Sequence, residues 1–340
     1  MDFIKIDGEF GEGGGQIIRT AITLSCITKQ PIIIENIRKN RKIPGLKAQH
    51  ITAIKILQKI CDAKVEGAKM GSTNLKFIPG DVKSCNLIED IGTAGSISLV
   101  LQVLIPVAVC QKKLNLIIKG GTDTLWSPTI DYTQYVLREA YSRMGINFSI
   151  KLIKRGYYPK GGGEVNLDIL PSNVKSISLN QRKTKNIKLI CSFSNLPNEL
   201  IKKLVEEIRK KLTEKKFIVE TQINEENAID SGASLLIFSD DEESIIGIDS
   251  IFDKKTERFN LDLESFTENN LGVDERLADM LVLPASLTNE MTIFRVNNIS
   301  KHLETNLFVT SKITGCKYGI GKLSDGFEVR IEGVSNTSIK

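Results

Sequence analysis

The stretch GTAGSISLVLQVLIPVAVCQKKLNLIIKGG, residues 92–121, decides the fold. A small-residue turn leads into an apolar helix at 97–108, a β-rich run follows (LNLIIKGG), and a second helical pattern spans 130–144. The same order precedes it: a Gly-rich turn, an apolar helix at 13–25, the run PIIIENI and a helix at 45–60. It returns as RLADMLVLPASL at 276–287, then MTIFRV, then a helix opening near His302. Three passes of helix, strand and helix predict a triplicated α+β unit. Strands with period-two alternation, NLKFI, INFSIKLI and EVNLDIL, supply sheet.

The third unit is expected to be split, with strands before residue 170 and helices after residue 275. The intervening insert, 180–270, has a different texture. Leu200, Ile201, Leu204, Val205, Ile208 and Leu212 mark one face of a helix whose other face carries lysine and glutamate, a solvated surface. Strands are expected at KFIVETQI, ASLLIFSD and SIIGID. The predicted organisation is therefore a catalytic repeat domain of residues 1–179 and 271–340, with a small, peripheral α/β domain at 180–270.

The chain has 340 residues, 41% hydrophobic and 26% charged, with room for a core that needs no disulfide or metal staple. The longest apolar segment is broken by Ser98, Gln102 and Pro106, so no membrane partner is expected. The start MDFIKIDGEF lacks the basic and apolar regions of a secretory signal, which points to the cytoplasm. Six cysteines show no C-x-x-C spacing and argue against structural zinc. A net charge of +5 permits a polyanionic partner held through a local patch and excludes a polybasic tail.

Four segments carry chemistry. GEGGGQIIRT, 11–20, places four glycines before an apolar helix, so backbone amides can approach a phosphate at a helix start. It is not a Walker loop, because no Gly-Lys-Ser/Thr follows. Glu12, Gln16 and Arg19 are polar groups at the mouth and on the face of that helix. IRKNRKIPGLKAQH, 37–50, sets Arg38, Arg41, Lys42 and Lys47 around a Pro-Gly turn, and arginines so held bind phosphate in pairs of parallel hydrogen bonds. His50 on its own reads as a cap or a packed residue. KRGYYPKGGGEV, 154–165, gathers Arg155, two tyrosines, Lys160 and three glycines, a composition suited to a nucleotide or an RNA end. KHLETNLFVTSKITG, 301–315, holds His302, one of two histidines in the chain. Cap, ligand and nucleophile are all open to it.

Together with IGTAGSISLVLQ and KGGT…SPTIDY, these motifs and the late His-x-x-Thr-Asn resemble the RNA 3′-terminal phosphate cyclases, in order and over essentially the whole chain. The resemblance implies three repeats of a two-helix, four-stranded unit with a smaller inserted domain. It implies use of ATP and a divalent metal, Mg or Mn, to turn an RNA 3′-phosphate into a 2′,3′-cyclic phosphate through a histidine adenylate. On the matching positions, His302 is the expected nucleophile. Gln102, Pro128, Arg276, Asp279, Met280, Glu12 and Gln16 are the expected nucleotide contacts. Glu12 is also the expected metal ligand, and Arg19, Arg38, Arg41, His50 and Arg155 are expected to face RNA. Arg276 stands where the pattern has an aromatic and Met280 where it has glutamine.

The chemistry is consistent with these residue types. An imidazole with an ordinary pKa near 6.5 is neutral and nucleophilic near pH 7. Its adenylate can pass AMP to an RNA phosphate, which a neighbouring 2′-hydroxyl then attacks. Two rival classes share this architecture: cyclase-like ribosome-assembly proteins that lack the nucleophilic histidine, and enolpyruvyl transferases. His302 argues against the first, and RGYYPKGGG with His-x-x-Thr-Asn against the second.

Overall fold

Apolar residues at helical spacing fold into eight α-helices, which the computed structural model describes within residues 2–334. These are α1 (Gly15–Thr28), α2 (Ala48–Ile60), α3 (Ile97–Leu104), α4 (Arg138–Arg143), α5 (Asn198–Glu214), α6 (Leu263–Glu268), α7 (Glu275–Ala285) and α8 (Lys301–Thr314). A 3₁₀ segment, Ile105–Cys110, extends α3 beyond the point where Pro106 interrupts it, and a π-helical turn, Tyr132–Leu137, precedes α4. N-cap side chains accept from the first turn in four of them: Ser96 on α3, Asp262 on α6, Asp274 on α7 and Ser300 on α8.

Three four-stranded sheets share one connectivity. In the first, Ile4–Asp7 runs parallel to Ile32–Glu35, which pairs antiparallel with Leu75–Ile78, which pairs antiparallel with Lys64–Glu66. The second repeats this with Cys85–Asp90, Leu114–Gly120, Gly163–Ile169 and Phe148–Lys154. The third repeats it with Ser178–Leu179, Met291–Val296, Phe327–Glu332 and Lys317–Lys322. Burial alternates along Leu114–Gly120 and Gly163–Ile169, so one face packs on helices and the other is left open. α1 is buried along nearly all its length, and it packs against α2, α3 and α8.

Two expectations are corrected. INFSIKLI and EVNLDIL lie in the second sheet, not the third, because they return as a hairpin beside Leu114–Gly120. Only Ser178–Leu179 of the third sheet precedes the insert. Met291–Val296 lies between α7 and α8, the other two strands follow α8, and Lys317–Lys322 is exposed throughout, leaving no alternation to read.

Residues 180–270 build a five-stranded sheet in the order Ile218–Glu225, Asn186–Ser194, Gly232–Asp241, Ser244–Asp253, Arg258–Phe259, with α5 and α6. Ile201, Val205 and Leu212 of α5 enter a core of its own, while the lysine and glutamate face stays wet. The insert is not peripheral, however. Ile190, Leu236, Phe238 and Ile245 from the opposite face of its sheet belong to the main core. Ile245 N–H donates to Gly272 O at 2.8 Å, and Gly247 N–H donates to Asp274 Oδ2 at 2.8 Å.

Candidate active site

The Gly-rich turn before α1, the basic loop before α2, the residues before the π-turn, and the first turns of α7 and α8 converge on one cleft of about 730 Å³. That volume suits a ligand of nucleotide size. Glu12, Gln16, Arg19, Arg38, Arg41, His50, Gln102, Pro128, Arg276, Asp279, Met280 and His302 all line it. Of the expected site residues, Arg155 is elsewhere, and Lys42, Tyr157, Tyr158 and Lys160 do not line the cleft either.

Close packing explains the glycine run. A Cβ on Gly14 would sit 2.5 Å from Glu12 Oε2, and one on Gly15 would sit 2.5 Å from His50 Nε2. Real Cβ atoms do not approach so closely, so side chains there would displace both polar groups. The turn thus brings Glu12 between two cleft residues. Its Oε1 pairs with Arg41 and its Oε2 lies 2.8 Å from His302 Nδ1.

The contact is close but is not an aligned hydrogen bond, and Glu12 Oε2 has no donor among the described residues. A carboxylate beside Nδ1 favours a neutral His302 with its hydrogen on that nitrogen and the lone pair on Nε2, because a carboxylate can only accept. Burial lowers the His302 pKa below 6.5, partly opposed by Asp279 and reinforced by Arg19, Arg41 and Arg276. The helix cap is Ser300, whose hydroxyl accepts from Leu303 N–H at 3.0 Å, so His302 is not needed for that role.

The rest of the His-x-x-Thr-Asn motif holds helices together. Thr305 hydroxyl donates to Lys301 O at 2.6 Å and accepts from Glu12 N–H at 3.3 Å. Asn306 Oδ1 accepts from Thr20 hydroxyl at 2.6 Å and from Gln16 at 3.0 Å, while its amide donates to Asp279 O at 2.9 Å. Gln16 also pairs with Arg19. Two short side chains therefore fix α1, α7 and α8 around His302.

One end of the cleft is cationic. Arg19 is enclosed, and burial lowers its pKa to about 10 against the pull of Asp279. Its Nε has no hydrogen-bond partner, an orphan donor that an anion can satisfy. Arg38 donates to Gly45 O at 2.8 Å, and Lys47 joins the lining. His50 is the N3 residue of a capping box: its Nδ1 accepts from Lys47 N–H at 3.1 Å. Burial, with Arg19, Arg38 and Lys47, lowers its pKa to about 3, so it is neutral at pH 7.

The other end is less charged. Gln102 Nε2 lies 3.8 Å from Met280 Sδ, and Tyr141 hydroxyl pins Met280 O at 3.0 Å. Arg276 pairs with Asp249 and lies over the Tyr132 ring, 5.3 Å from its centroid. Asp279 Oδ1 accepts from Ser300 hydroxyl at 2.9 Å, and burial raises its pKa to about 7.

The expectation for Arg155 fails. Its guanidinium is 1% exposed and is saturated by Asp131 at 2.8 Å, Asp123 at 3.0 Å and Glu226 at 2.8 Å. It clasps the second unit to the insert and has no free donor face for RNA. Trp126, Ser127, Leu99, Glu275 and Ser300 are cleft residues that the sequence reading passed over. Trp126 had a signal: it is the only tryptophan, in the turn between two glycines and a Ser-Pro, and it is 97% exposed.

The donor set fits a nucleoside triphosphate: arginines and a lysine at one end, an orphan Arg19 Nε, and Gln102, Met280 and a mixed-charge Arg276 and Asp279 at the other. Among the described residues no three His, Cys, Asp or Glu side chains gather as a metal group. Magnesium needs only one or two protein carboxylates when phosphate oxygens complete its shell, and Glu12 beside the cationic end fits that case.

A family model described as RNA 3′-terminal phosphate cyclase matches residues 10–320. A protein of that name from Methanosarcina barkeri is 39% identical over 337 residues, covering 96% of this chain and 99% of the relative. One from Methanococcoides burtonii is 38% identical over 334 residues, covering 97% and 100%. One from Trichormus variabilis is 35% identical over 349 residues, covering 98% and 99%. Among solved structures, an EPSP synthase from Acinetobacter baumannii covers 98% of this chain and 65% of its own at 10% identity and TM-score 0.28, a likeness too slight to bear on fold or function.

Proposed function

Since the chain belongs to the RNA 3′-terminal phosphate cyclase family and is an enzyme of that kind, we propose that it uses ATP to convert an RNA 3′-phosphate to a 2′,3′-cyclic phosphate through a histidine adenylate in the cleft described above. The observation that carries this is the close approach of the Glu12 carboxylate to His302 Nδ1 beside an arginine cluster, which favours a neutral imidazole with its Nε2 lone pair free.

Nε2 of His302 attacks the α-phosphorus of ATP, and the bond to the β-phosphate oxygen breaks, releasing pyrophosphate. Arg19 and Lys47 neutralise charge on the leaving group. An oxygen of the RNA 3′-phosphate then takes AMP from His302, restoring the imidazole. The adjacent 2′-hydroxyl attacks the RNA phosphorus, loses its proton and expels AMP, closing the cyclic phosphate. Orientation alone gives such a ring closure an effective molarity on the order of 10⁵ M or more. A Mg or Mn ion at Glu12, when bound, would offset phosphate charge.

Gln102, Pro128, Arg276, Asp279, Met280 and Gln16 are assigned to the nucleotide, and Arg38 and Arg41 to the RNA phosphate, with His50 supporting Arg38. The three like sheets support three copies of one two-helix, four-stranded unit, and the separate core at 187–266 supports a domain inserted at 180–270. No helix among the described residues is long and apolar enough to cross a membrane. We place the enzyme in the cytoplasm.

Incubating the protein with ATP and an RNA ending in a labelled 3′-phosphate tests the activity. The phosphate should become resistant to phosphatase in an ATP-dependent manner. An end that stays fully phosphatase-sensitive would refute it.

A further inference from the structure

Asp249 lies on the strand Ser244–Asp253 of the insert, and its side chain is 3% exposed, yet its carboxylate reaches the wall of the catalytic cleft. Oδ2 accepts from Thr129 N–H at 2.6 Å, holding the backbone immediately after Pro128. Oδ1 pairs with Arg276. Pro128 and Arg276 are both cleft residues, so one buried side chain from the insert ties two parts of the wall that come from different units. The strand itself is anchored: Gly247 N–H donates to Asp274 Oδ2, while Asp274 accepts from Tyr132 hydroxyl at 2.8 Å and caps α7 through Leu277 N–H at 2.9 Å. A Cβ on Gly247 would come within 2.7 Å of Val136, so the strand lies directly against the π-turn.

We propose that Asp249 is a positioning and specificity-determining residue for the base of the nucleotide, supplied to the active site by the inserted domain. This rests on the assignment of the cleft to ATP. Two physical effects follow from the geometry. Asp249 ties the backbone after Pro128 to Arg276, and so fixes two lining residues of the cleft relative to each other. It also satisfies the charge of Arg276, so that the guanidinium plane is held against Tyr132 and presented to a base as a stacking surface. Without that partner Arg276 is a free cation in a phosphate-binding cleft, and it competes with Arg19 and Lys47 for the triphosphate.

The test is a split of kinetic constants in the full-length enzyme. Asp249→Ala should raise KM for ATP at least about tenfold while leaving KM for the RNA 3′-phosphate and kcat at saturating ATP within about threefold. Asp249→Asn keeps an acceptor for Thr129 N–H and loses the charge, so its KM should fall between; it is also the variant to read if Asp249→Ala does not fold. In Arg276→Gln, adding Asp249→Ala should cost less than it does in the wild type, the non-additivity expected of contacting residues. Gln102→Ala is run in parallel. If Gln102→Ala raises KM for ATP and both Asp249 variants do not, the role of Asp249 is wrong and the ATP assignment stands. If neither residue affects KM for ATP, the cleft is not the nucleotide site. A rise in both substrates' KM by the same factor would reduce Asp249 to a structural residue and overturn the proposal.

Discussion

Glu12 Oε2 lies 2.8 Å from His302 Nδ1, which joins the Gly-rich turn before α1 to the first turn of α8 across the cleft. In the proposed mechanism Glu12 turns to accept from Nδ1 and so orients the imidazole, as carboxylates do for catalytic histidines elsewhere; at rest its Oε2 has no donor among the described residues. Glu12→Gln keeps the size of the side chain, loses the charge and lets an amide group face Nδ1. Single-turnover transfer of AMP to the protein should slow by about a hundredfold or more at saturating ATP. A rate equal to the wild type would mean the contact is incidental.

Burial depresses the His302 pKa, and nearby Arg41 is one of the cations that deepen the effect. In the proposed mechanism the reacting imidazole is the neutral form. AMP transfer should therefore rise with pH along a limb whose midpoint lies below 6.5, and in Arg41→Ala that midpoint should move upward. Rapid-quench labelling between pH 5 and pH 8 measures both. A downward move in Arg41→Ala would contradict the electrostatic assignment.

His50 links pH to folding. Its folded-state pKa of about 3 lies below the unfolded value of 6.5, so the unfolded chain binds the proton more readily. The sign follows: stability is fully present above pH 6.5 and is lost as pH falls towards 3, by about 2 kcal/mol at pH 5. Glutamine at the same N3 position can still accept from Lys47 N–H. Urea unfolding of His50→Gln should show a drop in stability between pH 7 and pH 5 smaller than the wild type's by about that amount. Identical drops would exclude His50 as the group responsible.

Arg155 belongs to the fold. Replacing it with methionine leaves Asp123 and Asp131 buried without their cation, which should cost about 3–5 kcal/mol. Thermal unfolding should show a large loss in Tm, with KM for RNA ends unchanged in the protein that remains folded. A rise in that KM with little loss of stability would return Arg155 to the RNA side.

Much of this site was legible because its motifs are local. The glycines at 11–15, the Pro-Gly turn with its arginines and the His-x-x-Thr-Asn segment each bring polar groups to a helix start, and helix starts converge where α1, α7 and α8 pack. What the sequence hid depends on distant partners. The RGYYPKGGG text looks like a ligand loop, but Arg155 is neutralised by carboxylates at 123, 131 and 226, and no local pattern announces them. Asp249 sits in a strand that reads as ordinary sheet of a charged insert, and only the antiparallel pairing with Gly232–Asp241 and the packing on the π-turn bring it to Arg276. The third sheet was misassigned because its first strand is two residues long and its edge strand is wholly exposed.

The central claim is that His302 carries AMP. Only His50 offers a second imidazole, and it is 3% exposed and engaged in a cap. Incubation with α-labelled ATP should leave label on the wild type and on His50→Ala, and none on His302→Ala. The bond should be labile in acid and comparatively stable in base, because protonating a phosphoramidate nitrogen creates a good leaving group. Mass spectrometry of the trapped adduct should place AMP on the peptide containing 301–312. AMP on a lysine, or cyclisation of RNA ends by His302→Ala at the wild-type rate, would contradict the account.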